Sequence, residues 1–303
     1  MLRIRPFALA ALMLAALLPA VPAAGLLLPL PMQAAASGLD DPIARIRDEG
    51  LNRSQVMQHL VQLTDVIGPR LTGSPGLKRA NDWTRDKLSE WGLEARLEAW
   101  GPFGRGWSLE RFSAQVVEPQ CIPLIGFPKA WSPATRGTLV ADVVHLDARD
   151  EKDLEKFRGR LKGAIVLSGG IRELQARFEP QARRLTDERL KEMGTLSSPA
   201  GTRRGRPQGF PADFRARFEF AAKRSAFLLS EGAAAIVEPS SNGDGGTLFV
   251  QSAAVPPLKN GRRVPAWSKE APKTVPQIVL AAEHFNRLVR MVQAGEKPRM
   301  ALE

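Results

Sequence analysis

The chain has 303 residues, of which 44% are apolar and 25% charged, a balance that supports about two packed domains and excludes wholesale disorder. It carries a formal net charge of +11, three histidines, one cysteine and no tyrosine. The single cysteine excludes an internal disulfide, and the scarcity of histidine restricts imidazole chemistry to His59, His145 and His284.

Residues 1–36 have the form of an export signal. Arg3 and Arg5 make a positive start, Phe7 to Leu18 an apolar stretch, and Ala34, Ala35 and Ala36 offer small residues for cleavage. The alternative is a retained anchor, because the apolar run continues to about Met32. Pro19, Pro22, Pro29 and Pro31 interrupt it, and helix interiors resist proline. The expected location is therefore periplasmic or extracellular, with membrane contact only through this segment if it stays uncleaved. Export also argues against a nucleic-acid partner for the basic excess, much of which lies between Arg172 and Arg224 and has no recognition motif beside it.

Residues 41–66 read as helix with a break near Gly50, since Ile43, Ile46, Val56, His59, Leu60 and Leu63 keep helical spacing. His59 lies beside that apolar stripe, as a half-buried structural histidine. A second helix starts at Ser74, a cap followed by Pro75 in the first helical position, and stops at Gly92. The loop between them, "IGPRLTGSPG" (67–76), is a tight connection in which Arg70 stabilises the turn.

The stretches 93–100 and 108–118 alternate as strands do. Residues 119–133 are proline-rich and read as a linker; Cys121 within it reads as a small buried residue without a local histidine. Short β-rich runs follow at 137–147 and 162–170. A helix at 218–232 leads directly into the strand "AAAIVEPS", and "TVPQIVLAAEHFNRLVRMVQAGEKPRMALE" supplies a strand, a helix and the start of another strand. Glu283 and His284 open that helix, where an acid suits the N-terminal dipole. "SNGDGGT" (241–247) reads as a turn. Between these pieces, 171–217 is an arginine- and proline-rich insertion.

The ordered set "FRGRLKGAIVLSGG", "FAAKRSAFLLSEGAAAIVEPS" and "VPQIVLAAEHFNRLVRMVQAGEKPRMALE" resembles a protease-associated (PA) domain. The upstream "IGPRLTGSPG…W…L…WGL" resembles the start of M28-family zinc metallopeptidases, whose carboxypeptidase Q-like members carry a PA domain inserted in the peptidase. The resemblance spans roughly residues 50–303, and its motif loop includes Gly68, Pro69, Arg70 and Gly73. It implies an α+β fold: N-terminal helices and a partial peptidase shell (37–119), a mixed-β PA-like insert (120–282) bearing the basic insertion 171–217, and a returning helix and strand (283–303) that lead toward a catalytic domain.

In the full-length relative the resemblance implies two zinc ions and removal of a terminal residue from peptides. The family's ligands are a His-x-Asp element, a bridging Asp, a Glu-Glu pair, a further acid and a late His, all expected after the PA domain. This chain has no Glu-Glu pair and no H-E-x-x-H. His145-Leu146-Asp147 spells His-x-Asp, and alternate residues of a strand share a face, but it precedes the K-G-A-I-V-L strand and lacks the companions. No cofactor is expected in the chain itself. Its expected partners are a peptide substrate or the missing catalytic domain. Two alternatives stand beside this reading: an exported, non-enzymatic PA-type interaction module, and a complete hydrolase with an unrecognised metal site near His145.

Overall fold

The computed structural model describes residues 41–180, 182–195 and 212–303. The export segment and residues 196–211 of the insertion expected at 171–217 lie outside the described residues. Among the described residues no helix is long and apolar enough to cross a membrane.

The chain divides into two units, Met1–His59 and Leu60–Glu303. In the first, helix α1 (Pro42–Asn52) is capped by the Asp41 side chain, which accepts from the Ile43 amide at 3.0 Å. The break expected near Gly50 falls instead at 53–55, after which α2 (Val56–Val61) begins. An interior glycine costs a helix only about 1 kcal/mol, too little to end it there.

The second unit includes a π-helical turn, Gln62–Ile67, and α3 (Pro75–Glu90). Ser74 caps α3 by accepting from the Leu77 amide at 3.2 Å, and Gly92, at φ +85°, follows its end. Residues 93–100, expected as a strand, join no ladder among the described residues. Their alternation is genuine, but a strand needs a hydrogen-bonding neighbour, and Leu93, Leu97 and Trp100 are exposed.

Next come β1 (Ala114–Glu118), β2 (Ile122–Pro123), β3 (Gly126–Pro128), β4 (Leu139–Leu146), α4 (Glu151–Glu155), β5 (Ile165–Ser168), α5 (Asp187–Gly194), α6 (Ala212–Ser230), β6 (Ala235–Pro239), β7 (Gln277–Leu280), α7 (Ala282–Gln293) and β8 (Arg299–Leu302). The strands form one eight-stranded sheet in the order β2-β1-β8-β4-β5-β6-β7-β3. The run from β4 through β7 is parallel, and the remaining pairs are antiparallel. The fold is α+β, as expected.

The proline-rich segment 119–133 is not a linker. It supplies β2 and β3, which lie at opposite edges of the sheet. Proline is tolerated at such edges because the missing amide faces away from the ladder. Only Leu124 and Ile125 separate the two strands, so the sheet edges approach within about 11 Å at three Cα steps. The sheet must therefore curl. Cys121 falls between β1 and β2 and is exposed, not buried as its residue type suggested.

Parallel strands buried on both faces read as continuous apolar runs, and the "IVL" of β5 and "AIV" of β6 are such runs. On one face, Val143, Ile165, Leu167, Val237, Ile278 and Leu280 pack with Phe285, Leu288 and Val289 of α7 and with Met300 and Leu302 of β8. On the other, Val166 and Ile236 pack with Leu154 of α4 and with Phe227 and Leu228 of α6. The boundaries expected at 119/120 and 282/283 thus lie inside this sheet and its core: β8 pairs with both β1 and β4.

The start of α7 fastens two loops. Glu283 accepts from the Gly245 amide at 2.6 Å, and His284 Nδ1 accepts from the Ile125 amide at 2.7 Å. The glycine turn 241–247 therefore serves the helix start. Backbone amides, its own first and then those of Gly245 and Gly246, hold the Glu283 carboxyl below the usual glutamate range against the opposing effect of burial. A lowered folded-state pKa stabilises the fold above the ordinary glutamate value, and that contribution disappears as pH falls through the lowered one. Glu283→Gln should therefore cost about 0.5–1 kcal/mol at neutral pH, and the wild-type and variant thermal midpoints should converge in acid.

Candidate functional site

The motif loop is a built structure. The π turn ends at Ile67, which is buried, and Gly68 turns the chain at φ +76°, its amide donating to Leu63 O at 3.2 Å. Arg70 Nη1 donates to Gly68 O at 2.9 Å and also to Leu63 O. Arg79, one turn into α3, donates through Nη2 to Ile67 O at 2.7 Å. Two guanidinium groups thus bind three carbonyls of the π turn and its end, those of Leu63, Ile67 and Gly68. Pro69 seats against α3: a Cβ on Gly76 would come within 2.2 Å of Pro69 O.

Gly73, at φ +75°, completes the loop and brings it against a segment that the sequence patterns did not single out, 103–107, "FGRGW". A Cβ on Gly106 would lie 2.3 Å from Gly73 O, and one on Gly104 would lie 2.4 Å from Trp267 O. Between these two close approaches Arg105 is fixed twice, its amide donating to Trp267 O at 2.8 Å and its Nη2 to Ala266 O at 2.7 Å. Trp131 Nε1 donates to Arg105 O at 2.8 Å, and Trp107 Nε1 donates to Ser132 O at 3.1 Å. The Phe103 ring stacks on Trp267 at 6.0 Å, and Trp131 tilts against Trp267 at 5.2 Å. The signal that could have found this wedge is the Gly-Arg-Gly-Trp spacing: paired glycines mark places where backbone approaches backbone.

The wedge, the motif loop and β3 enclose a cleft of about 890 Å³, lined among others by Pro69, Leu71, Arg79, Trp107, Phe127 and Leu248. No His, Cys, Asp or Glu lines it, and Arg79 is already engaged with Ile67 O. The lining can pack an apolar surface. Its hydroxyls are those of Ser74, which caps α3, and Ser108, and no histidine or carboxylate lines it to activate either one.

His145 and Asp147 sit elsewhere. His145, in β4, is half-buried with Nε2 2.8 Å from Gly169 O. A carbonyl can only accept, so Nε2 carries the proton and Nδ1 holds the free lone pair. Asp147 lies past the strand end and is exposed. His284 is committed to Ile125, and His59 belongs to the first unit. Among the described residues no three His, Cys, Asp or Glu side chains converge as a metal site. A catalytic zinc takes about three protein ligands, and the His145–Asp147 pair does not fit one.

No family model matches this sequence, and no curated protein matches it. Among solved structures, the chain is similar to a peptidase M28 precursor from Shewanella amazonensis SB2B, at 19% identity and a TM-score of 0.43, covering 86% of this chain and 49% of that one. It is also similar to an aminopeptidase from Aneurinibacillus sp. strain AM-1, at 13% identity and a TM-score of 0.38, covering 84% of this chain and 45% of that one. A zinc aminopeptidase from Bacillus subtilis aligns at 14% identity and a TM-score of 0.40, covering 81% of this chain and 42% of that one. The chain spans about half the length of these structures, or less.

Proposed function

We propose that these residues form the N-terminal part of an exported M28-type zinc exopeptidase: leading helices, motif loop and PA-like region, without the metal ligands themselves. The reading rests on the ordered motifs of the sequence. The observation that carries it is the segment 93–100. It has the alternation of a strand, joins no ladder among the described residues, and leaves Leu93, Leu97 and Trp100 exposed. An unpaired strand pattern with apolar side chains in solvent is what a sheet looks like when its next strand is elsewhere. The apolar cleft beside the motif loop supports the same reading, because its lining suits packing and includes no histidine, cysteine or carboxylate.

In this proposal zinc and peptide hydrolysis belong to the full-length protein, and the residues described above contribute the frame. The PA-like region contributes contacts with substrate or with the catalytic part. Export through residues 1–36 belongs to the proposal as well. A non-enzymatic interaction module would need no further strand beside 93–100. A complete hydrolase centred on His145 would need further metal ligands beside it, and among the described residues no three His, Cys, Asp or Glu side chains converge.

Sequencing the transcript across codon 303 separates the first two readings. The proposal expects an open frame that continues into a His-x-Asp element and a Glu-Glu pair. A stop codon directly after Glu303 would favour the free-standing module and sink the peptidase assignment. Mass spectrometry of the secreted product should find a mature N-terminus near Ala36; a soluble product that keeps Met1 would contradict export.

A further inference from the structure

The stretch that closes the sheet, Leu124 and Ile125 between β2 and β3, is held at three points. The Leu124 amide donates to Ala114 O at 3.0 Å, the Ala281 amide donates to Ile125 O at 2.9 Å, and the Ile125 amide donates to His284 Nδ1 at 2.7 Å. The first two acceptors are backbone carbonyls, which do not titrate. The third is an imidazole nitrogen, and it accepts only while it carries no proton. The Ile125 side chain is 48% exposed, so backbone bonds rather than a buried side chain hold this residue.

Protonation would set the ring against that bond. The neutral imidazole carries its hydrogen on Nε2 and turns the Nδ1 lone pair to the Ile125 amide; the imidazolium would meet this donor with a second donor. His284 is also the third residue of α7, where the helix dipole opposes a positive charge. The charged groups around it are few. Glu283 precedes it and favours a cation, but its carboxylate is turned to the amides of Gly245 and Gly246. Asp244 in the same turn is paired with Arg177 at 2.7 Å, and Arg287 lies one turn along α7. Neither residues 119–128 nor β7 bears a charged side chain.

We infer that His284 is an acid-released catch on the closure of the sheet: neutral, it fastens Ile125, and protonated, it lets the junction between β2 and β3 open while the parallel strands stay paired. The junction leads directly into β3, whose Phe127 lines the apolar cleft two residues further on. Glu283 acts separately. Backbone amides hold its carboxyl below the usual glutamate range, so the turn 241–247 stays fastened at a pH where His284 has let go. The inference is independent of the peptidase proposal.

Amide hydrogen exchange of the 303-residue chain tests it, read by NMR at about pH 7.5 and about pH 5.0 as protection relative to an unstructured peptide. An imidazole in solvent titrates at about 6.5, so at about pH 5.0 its protonation favours the open junction about thirtyfold. Protection of the Ile125 amide should fall by about that factor, and that of Leu167 in the central strand β5 should hold. His284→Asn supplies an amide oxygen that accepts without titrating, and His284→Leu supplies no acceptor. Protection at Ile125 should therefore be independent of pH in both variants, high in the first and low in the second. Equal protection of Ile125 at the two pH values in the wild type would overturn the inference. So would a fall shared by Leu167, or a fall at Ile125 that persists in both variants.

Discussion

A chain cut after residue 282 should lose cooperative folding altogether. The cut removes Phe285, Leu288 and Val289 of α7 and Met300 and Leu302 of β8, all 0–1% exposed. Burying a side chain of this kind contributes about 1.5–3 kcal/mol, so five of them account for about 8–15 kcal/mol. That matches the whole stability of an ordinary domain, about 5–15 kcal/mol. The cut also takes β8 from between β1 and β4, leaving β1 paired only with the two-residue β2. The full chain should melt in one transition seen by circular dichroism, and the truncated chain should show none. The single substitution Phe285→Ala should cost about 3–5 kcal/mol. A two-state melt from residues 120–282 alone would instead support a PA-like unit that ends where the sequence motifs suggested.

Gly104→Ala should have the largest effect of any one-methyl change in the wedge. Gly104 sits at φ +123°, a conformation costly for any L side chain, and its new Cβ would lie 2.4 Å from the backbone oxygen of Trp267. A backbone atom cannot rotate away as a side chain can. Relief requires that 103–107 separate from 265–268, which breaks the Arg105-to-Trp267 bond and the ring stack with it. Strain and overpacking each cost about 1–3 kcal/mol, so a loss of about 2–5 kcal/mol in urea denaturation is expected, with red-shifted tryptophan emission. Gly50→Ala is the control: nothing lies within 4 Å of the added methyl, the site is helical, and the change should stabilise by up to about 1 kcal/mol. Equal destabilisation by both would remove the wedge from the account.

How much of this was legible follows from what each element needs. β5, β6 and β7 read directly, because strands buried on both faces write themselves as apolar runs. The helix caps at Ser74 and Gly92 read directly because they depend on local chemistry. What depends on a distant partner did not read. Segment 93–100 has strand alternation but no neighbour, whereas β2 and β3 are short and proline-bearing yet find ladders at the sheet edges. The place of β8 between β1 and β4 is a matter of sheet order, which no local pattern encodes. At the motif loop, the glycines and Arg70 were legible as a rigid turn. The segment it rests on, 103–107, was not, because its contacts come from residues 131–132 and 265–267 far along the chain.

The proposal that these residues form part of a zinc exopeptidase without holding its metal is tested most directly by the zinc content of the purified 303-residue chain. Native mass spectrometry after dialysis against zinc-free buffer should find no metal bound stoichiometrically. The two ligands His145 and Asp147 cannot match the roughly three that a catalytic zinc requires, and no group of three converges among the described residues. His145→Ala should leave the zinc content unchanged. One or two zinc ions retained per chain and lost in His145→Ala, together with release of terminal amino acids from peptides, would contradict the claim and establish the site near His145 instead.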